Sequence, residues 1–129
     1  MRLIDGLSKA GVPELPSDTG LKPEDRLSGA DIQSLILGRE LRGRRLLQPA
    51  STIEDYRLIP LAGSAVSRTT DSRTVSGERW VQGNFQCETY PIILTRCGAV
   101  FRNTAGTRDQ QNEYRAFYPH YRLEFSVMN

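Results

Sequence analysis

Four arginines are crowded into one short stretch of this chain, and their side chains could bind phosphate. They are Arg39, Arg42, Arg44 and Arg45, in a chain that has fifteen arginines but only two lysines. A guanidinium group is planar and permanently charged, and it binds phosphate through two parallel hydrogen bonds, whereas a lysine ammonium acts as a point charge. The stretch therefore predicts contacts with RNA phosphates. Secondary candidates for the same role are Arg96, Arg102 and Arg108.

Two other interpretations of this arginine bias stay open. A GC-rich genome replaces lysine codons with arginine codons, and a run of arginines can also form a solvated face, here paired with Glu40, Glu54 and Asp55. The chain has a formal net charge of only +2. Residues 1–37 carry a net −2 and residues 38–129 a net +4, so the basic character begins at Arg39. Binding to nucleic acid would therefore need a local basic patch.

Glu88, Arg102 and His120 have the side-chain types that a metal-free endoribonuclease uses. A carboxylate takes the proton of the 2′-hydroxyl, an arginine stabilises the phosphoryl charge, and a histidine protonates the leaving oxygen. The order of these residues and the His120-Tyr121 pair before a terminal strand resemble small microbial guanyl-specific ribonucleases over about residues 85–125. The chain differs in its longer interval from Arg102 to His120 and in lacking a recognisable base-recognition loop. In the alternative interpretation, His120 is an isolated surface or packing residue.

Aromatic residues accompany arginines through the second half of the chain. Stacking of bases on aromatic rings, together with guanidinium contacts, holds single-stranded nucleic acid in many proteins. Aromatic residues at alternating strand positions are also typical of a core. Tyr121 and Phe125 are expected to be buried, and the aromatic residues that lie near arginines are Phe101, Tyr114, Phe117, Tyr118 and Tyr121.

Other kinds of site lack a sequence signature. Phosphate-binding loops, zinc-ligand spacings and the GxSxG nucleophile motif are absent, so we predict neither a cofactor nor a metal. Cys87 and Cys97 are expected to be reduced thiols in strands, with a disulfide across a hairpin as the alternative. Hydropathy predicts neither a secretory signal nor a membrane-spanning segment, so we expect a soluble chain.

Helical signals are concentrated in the first part of the chain. A short helix is predicted within residues 2–9, in an N-terminal arm of residues 1–27 that is otherwise extended. Ser28 and Asp31 have capping-box spacing and predict a helix over residues 29–37. Residues 39–47 leave three possibilities open, which are an extension of this helix, a second short helix, or a turn that leads into a strand.

The remainder of the chain has mainly strand signals. A strand is predicted from Tyr56 to Leu61, and Ser64 to Gly77 is predicted to be a loop because it has no hydrophobic periodicity. Gly83 and Asn84 predict a tight hairpin turn. Further predictions are a hairpin through Cys97 and Gly98, a helix over residues 108–117, and a final strand over residues 121–127.

These elements predict one compact α+β (α/β) domain. Its core would span residues 28–129 and would contain a mostly antiparallel sheet with two or three short helices. A purely structural adaptor is a further possibility, in which apolar edge strands around residues 92–94 pair with partner proteins.

In overall character the chain resembles the small accessory assembly and packaging protein of the cystovirus polymerase complex, from double-stranded RNA bacteriophages. The resemblance rests on the arginine-rich stretch, the missing enzyme signatures, and a folded region that ends near Asn129, where that family continues into a flexible tail. It implies an α/β core that forms a homodimer, contacts viral capsid and polymerase proteins and binds RNA during packaging. It also implies a location in the virion core and the host cytoplasm, without a membrane. The leading hypothesis is therefore a non-enzymatic RNA-binding assembly factor, and the alternative is the ribonuclease.

Overall fold

Antiparallel pairing joins eight strands into a closed barrel in the computed structural model, which describes residues 22–47, 52–71, 73–91, 93–103 and 112–128. Each strand pairs with the next along the chain, and β8 pairs with β1 to close the barrel. The predicted α+β (α/β) class is therefore wrong. The strands are β1 (Leu41–Leu47), β2 (Thr52–Pro60), β3 (Ala65–Thr70), β4 (Arg73–Gln82), β5 (Phe85–Tyr90), β6 (Ile93–Arg102), β7 (Tyr114–Tyr118) and β8 (Tyr121–Val127).

Strands β3 and β4 occupy most of the region that we predicted to be a loop. The region lacks hydrophobic alternation because polar side chains occur on both faces of its strands. Arg68 and Thr70 are buried, while Thr69 and Thr74 form a hydrogen bond of 2.9 Å between neighbouring strands. Cross-strand threonine pairs of this kind stabilise a sheet. The loop prediction was wrong because it took polarity for irregular structure.

The predicted hairpin at Cys97 and Gly98 is also wrong, because β6 continues through both residues. Gly98 is needed for close packing, since a Cβ atom there would lie 2.7 Å from the carbonyl oxygen of Phe117. The predicted helix over residues 108–117 fails in its described part, where Tyr114–Tyr118 forms β7. Residues 115–118 are buried on both faces of the strand, which removes the two-residue alternation that strand recognition needs.

Helix α1 (Gly29–Leu35) confirms the predicted capping box. The Ser28 hydroxyl accepts a hydrogen bond of 3.1 Å from the Asp31 backbone, and Asp31 accepts one in return from the Ser28 backbone. Ile32 and Ile36 are fully buried, and they belong to the same core cluster as Leu41 and Leu58 of the barrel. The helix thereby covers the apolar end of the barrel. A single 3₁₀ turn, Pro23–Asp25, precedes it, and the helix predicted within residues 2–9 lies outside the described residues.

The hairpin predicted at Gly83 and Asn84 is confirmed as the β4–β5 turn, and the start of helix α1 packs against it. Gly83 has a φ of +61°, the conformation that favours glycine. The Asn84 side chain accepts a 2.8 Å hydrogen bond from the Gly29 backbone. A Cβ atom at Gly29 would collide with the Gly83 carbonyl oxygen. The helix therefore packs on this turn through a glycine that no side chain could replace without movement.

Cys87 and Cys97 form a disulfide between β5 and β6. The expectation of reduced thiols is therefore wrong, and the alternative, a disulfide between the two strands, is correct. The two residues are direct partners in the strand register. Their side chains belong to a buried outer cluster that also contains Phe85, Phe101 and Phe117. The disulfide therefore joins two adjacent strands on the face opposite the barrel interior.

Replacing Gly43 with alanine is expected to weaken the closure of the barrel. A Cβ atom at Gly43 would collide with the Glu124 carbonyl oxygen and lie 2.6 Å from the Phe125 Cα atom, both in the backbone of β8. We expect the free energy of unfolding to fall by about 2 kcal/mol or more, measured by denaturant unfolding. The control is Gly38→Asn, because Gly38 has open surroundings and a φ of +78° that asparagine tolerates. Equal stability of the two variants would contradict the β1–β8 pairing.

Candidate functional site

The arginine-rich stretch forms β1, and the alternation of a strand separates its side chains. Arg42 and Arg44 point away from the barrel, whereas Arg45 points inward. Arg45 donates a 3.0 Å hydrogen bond to Glu54, and its guanidinium lies 5.7 Å from the centre of the Tyr121 ring. Arg39 is exposed before the strand begins. The four arginines therefore do not share one face, as a helix would have allowed.

On the outer face of the barrel, one arginine of this stretch lies next to an arginine of the neighbouring strand. Arg42 lies directly opposite Arg57 of β2, and their side chains are 55% and 45% exposed. Both donate to the same Glu40 oxygen, at 3.0 Å and 3.1 Å. The hydrogen bond from Arg42 is the main reason that the pKa of Glu40 is lowered. Like charges placed directly opposite each other destabilise a sheet. Because one carboxylate neutralises only one of the two guanidinium charges, the pair is suited to binding a further anion.

Arg44 extends this surface along β1. It donates a 2.9 Å hydrogen bond to Glu124, which is buried and also lies 3.5 Å from Arg115. We call the outer surface formed by Arg42, Arg44 and Arg57 the arginine face. Two shallow grooves of about 510 and 420 Å³ meet at it, and both are lined by Arg42, Gly43 and Asp55.

The secondary arginine candidates are spread over the molecule. Arg96 lies opposite Glu88 in the strand register and is half-buried. Arg102 is exposed at the opposite end of β6, and Arg108 lies outside the described residues. Neither of the two described candidates belongs to the arginine face.

The structure does not bring the ribonuclease residues together. Glu88 is buried inside the barrel, whereas His120 is exposed in the β7–β8 turn with a φ of +71°. Arg102 lies six residues along β6 from the strand partner of Glu88, which corresponds to about 20 Å. A shared substrate phosphate cannot reach all three side chains in this arrangement. His120 is a surface residue, as the alternative interpretation expected.

Glu88 is instead the centre of a polar layer in the barrel interior. The Tyr90 hydroxyl donates to one of its carboxylate oxygens at 3.1 Å, and the Tyr121 hydroxyl donates to the other. The Tyr121 ring stacks on Tyr118 with 4.9 Å between ring centres. Gln86 donates a 2.7 Å hydrogen bond to the Tyr118 hydroxyl. These side chains form a continuous hydrogen-bonded and stacked unit on β5, β7 and β8.

Two buried arginines face this layer from β3 and β4. The Arg68 guanidinium lies 4.1 Å from the centre of the Tyr90 ring, and Arg79 is the strand partner of Glu88. Several of the polar atoms here are buried without a hydrogen-bond partner, although most buried polar groups in proteins have one. They are Arg68 Nε, Arg79 Nε and Nη2, the Tyr56 hydroxyl and Gln86 Oε1.

Sequence reasoning identified Glu88 but missed the layer around it. The available signal was the alternation Gln86, Glu88, Tyr90 on β5, which places three polar side chains on one face of a strand. Four of the five aromatic residues that lie near arginines are buried, namely Phe101, Phe117, Tyr118 and Tyr121, whereas Tyr114 is partly buried. Phe125 in the predicted final strand is buried too.

Comparison with known proteins identifies no relative, because no protein family, curated protein or solved structure matches the chain. Among the described residues, no cluster of histidine, cysteine, aspartate or glutamate could hold a metal ion. The same residues contain no helix with the length and apolar character to cross a membrane.

The tyrosines of the interior are expected to make the fold sensitive to alkaline pH. Burial, followed by the charge of Glu88, raises the pKa of Tyr56, Tyr90, Tyr118 and Tyr121 above the usual value of 10.0. These groups ionise more easily in the unfolded chain, so stability is retained below pH 10 and is lost as the pH rises above it.

The measurement is the ultraviolet absorbance of tyrosinate during a pH titration, in buffer and in denaturant. The denatured chain should ionise its tyrosines near pH 10, and the native chain only at higher pH, together with unfolding. Superimposable titration curves would contradict the buried arrangement.

Proposed function

We propose that the protein binds RNA through the arginine face. The observation that carries this proposal is the cross-strand pair Arg42 and Arg57, two exposed arginines held side by side with one shared carboxylate. A phosphate that binds between them would relieve their mutual repulsion and accept two guanidinium groups. Arg44 supplies a third guanidinium on the same strand.

Shape and exposure also support this proposal. The guanidinium groups lie beside two open grooves rather than in a closed pocket, which suits a flexible polyanion better than a compact small molecule. Arg45 has no part in it, because it is ion-paired to Glu54 inside the barrel. Arg39 is exposed near the start of β1 and is included as a flanking contact.

The biological role that we propose follows from the sequence resemblance. A non-enzymatic factor that binds RNA, pairs with a second copy and contacts viral capsid and polymerase proteins would assist core assembly and RNA packaging. Such a protein would act in the virion core and the host cytoplasm. The arginine face supplies the RNA contact of this role.

Replacing Arg42 and Arg57 with glutamine is expected to weaken RNA binding and reduce its dependence on salt. Each phosphate contact with a single strand contributes about 0.7 to the slope of log affinity against log salt concentration, so the double variant should lose about 1.4. The measurement is fluorescence anisotropy of a labelled single-stranded RNA at several salt concentrations.

Two variants control this experiment. Arg73→Gln removes an exposed arginine on β4, and Arg45→Gln removes the internal member of the original cluster. Both should retain the native salt slope, when corrected for any unfolded fraction. An unchanged slope for Arg42→Gln/Arg57→Gln would refute the arginine face. A denaturing gel of the same samples is expected to show intact RNA, because Glu88, Arg102 and His120 do not meet at one site.

A further inference from the structure

The larger groove at the arginine face carries charges of both signs. Its volume is about 510 Å³, which lies within the range of small-molecule sites. Arg42 and Arg57 line it, and so do Asp55 and Asp71, which are both exposed. Asp55 follows Arg57 at a distance of two residues on the same face of β2, which corresponds to about 7 Å. A ligand in this groove therefore contacts cations and anions within the length of one nucleotide.

The two aspartates make the groove unfavourable for an RNA strand that passes through it. Asp71 accepts a 2.7 Å hydrogen bond from the Asp55 backbone, which holds the two residues together. Asp55 is the strand partner of Arg44, but the Nε atom of Arg44 donates to Glu124 instead. Carboxylates repel a phosphodiester, whereas they accept hydrogen bonds from ribose hydroxyl groups. This side of the groove therefore suits the sugar of a terminal nucleotide better than a further phosphate.

The charge of the arginine pair also favours the end of a strand. Glu40 Oε2 accepts hydrogen bonds from both Arg42 and Arg57, at 3.0 Å and 3.1 Å. An internal phosphodiester carries a single negative charge, so it would only replace the Glu40 carboxylate with another monoanion. A terminal phosphate monoester carries a charge of about −1.5 to −2 at pH 7 and has three acceptor oxygens. It can therefore compensate both guanidinium groups, which one carboxylate cannot.

We propose that Arg42 and Arg57 bind the terminal phosphate monoester of an RNA strand, with the terminal nucleotide in the larger groove. The phosphate displaces Glu40, and each guanidinium pairs with phosphate oxygens through parallel hydrogen bonds. Thr69, the strand partner of Arg57, lines the same groove and adds a hydroxyl group. The next phosphates of the strand lie near Arg44. This inference rests on the RNA binding proposed above and names the part of the strand that is recognised.

The test compares single-stranded RNAs of one sequence that differ only at an end. One series carries a 5′-hydroxyl, a 5′-phosphate or a 5′-methylphosphate, and the other carries a 3′-hydroxyl or a 3′-phosphate. Fluorescence anisotropy, with the label at the opposite end, gives the affinities at one salt concentration. A terminal phosphate at one of the two ends should raise the affinity about tenfold or more. For a 5′-phosphate, the methyl ester should remove most of this gain, because it removes the second charge.

Glu40→Gln tests the role of charge at the arginine pair. Without the carboxylate, both guanidinium groups are open to a monoanion, so the variant should bind strands with hydroxyl ends more tightly. Its preference for the terminal phosphate should therefore fall several-fold. Glu78→Gln is the control, because it makes the same change of net charge at an exposed position of β4. This control should keep the native preference.

Asp71→Asn tests the acidic side of the groove. The asparagine side chain can still accept the hydrogen bond from the Asp55 backbone, so the turn should be preserved. The variant no longer repels an internal phosphate, and its preference for the terminal phosphate should also fall. An unchanged preference in both Glu40→Gln and Asp71→Asn would overturn the proposal.

The end-group comparison separates this inference from the proposed function. Equal affinity of the native protein for phosphate and hydroxyl ends, at both the 5′ and the 3′ end, would overturn the inference while RNA binding itself still stands. Failure to bind any of the strands would overturn both proposals. Arg42→Gln/Arg57→Gln should bind every strand weakly and without preference, and a preference that survives in this variant would place the terminal phosphate elsewhere and overturn the inference.

Discussion

The pairing of β1 with β8 is the contact on which the rest of this structure depends. It joins residues about eighty positions apart, and Gly43 permits it by presenting no side chain to the backbone of Glu124 and Phe125. Closure removes both free edges of the sheet, so every strand has two neighbours. It also fixes which residues face inward. The inner and outer positions of β1, and with them the different surroundings of Arg42 and Arg45, follow from this one register.

A closed barrel of eight strands has an interior just wide enough for side chains or one small ligand. This chain fills the end under helix α1 with apolar groups such as Ile32 and Leu58, and it places Glu88 and its tyrosines in a polar layer next to them. Arg68 and Arg79 are stacked or buried against that layer. The tyrosine hydroxyls of the polar layer donate hydrogen bonds to both carboxylate oxygens of Glu88 and so fix its position inside the barrel.

The molecule therefore presents arginine in two different environments. On the outside, Arg42 and Arg57 are hydrated and share Glu40, so they suit a flexible polyanion whose binding depends on salt. Inside, Arg79 is removed from water, and the surroundings screen its charge less. The same side chain therefore occurs in a hydrated and in a buried environment in this molecule.

The sequence by itself determined the features that depend on neighbouring residues. The capping box at Ser28, the hairpin turn at Gly83 and Asn84, and the alternating strand from Tyr121 to Val127 could be predicted because local hydrogen bonding and side-chain periodicity specify them. Only the tertiary structure decided that β1 is a strand, that Cys87 faces Cys97, and that Glu88 meets Tyr121 rather than His120 or Arg102. Barrel closure brings distant residues together, and a polar interior removes the hydrophobic alternation that marks an inward face. Polar strands such as β3 and β4 therefore resemble loops in the sequence, because only their pairing with neighbouring strands, through backbone hydrogen bonds, defines them as strands.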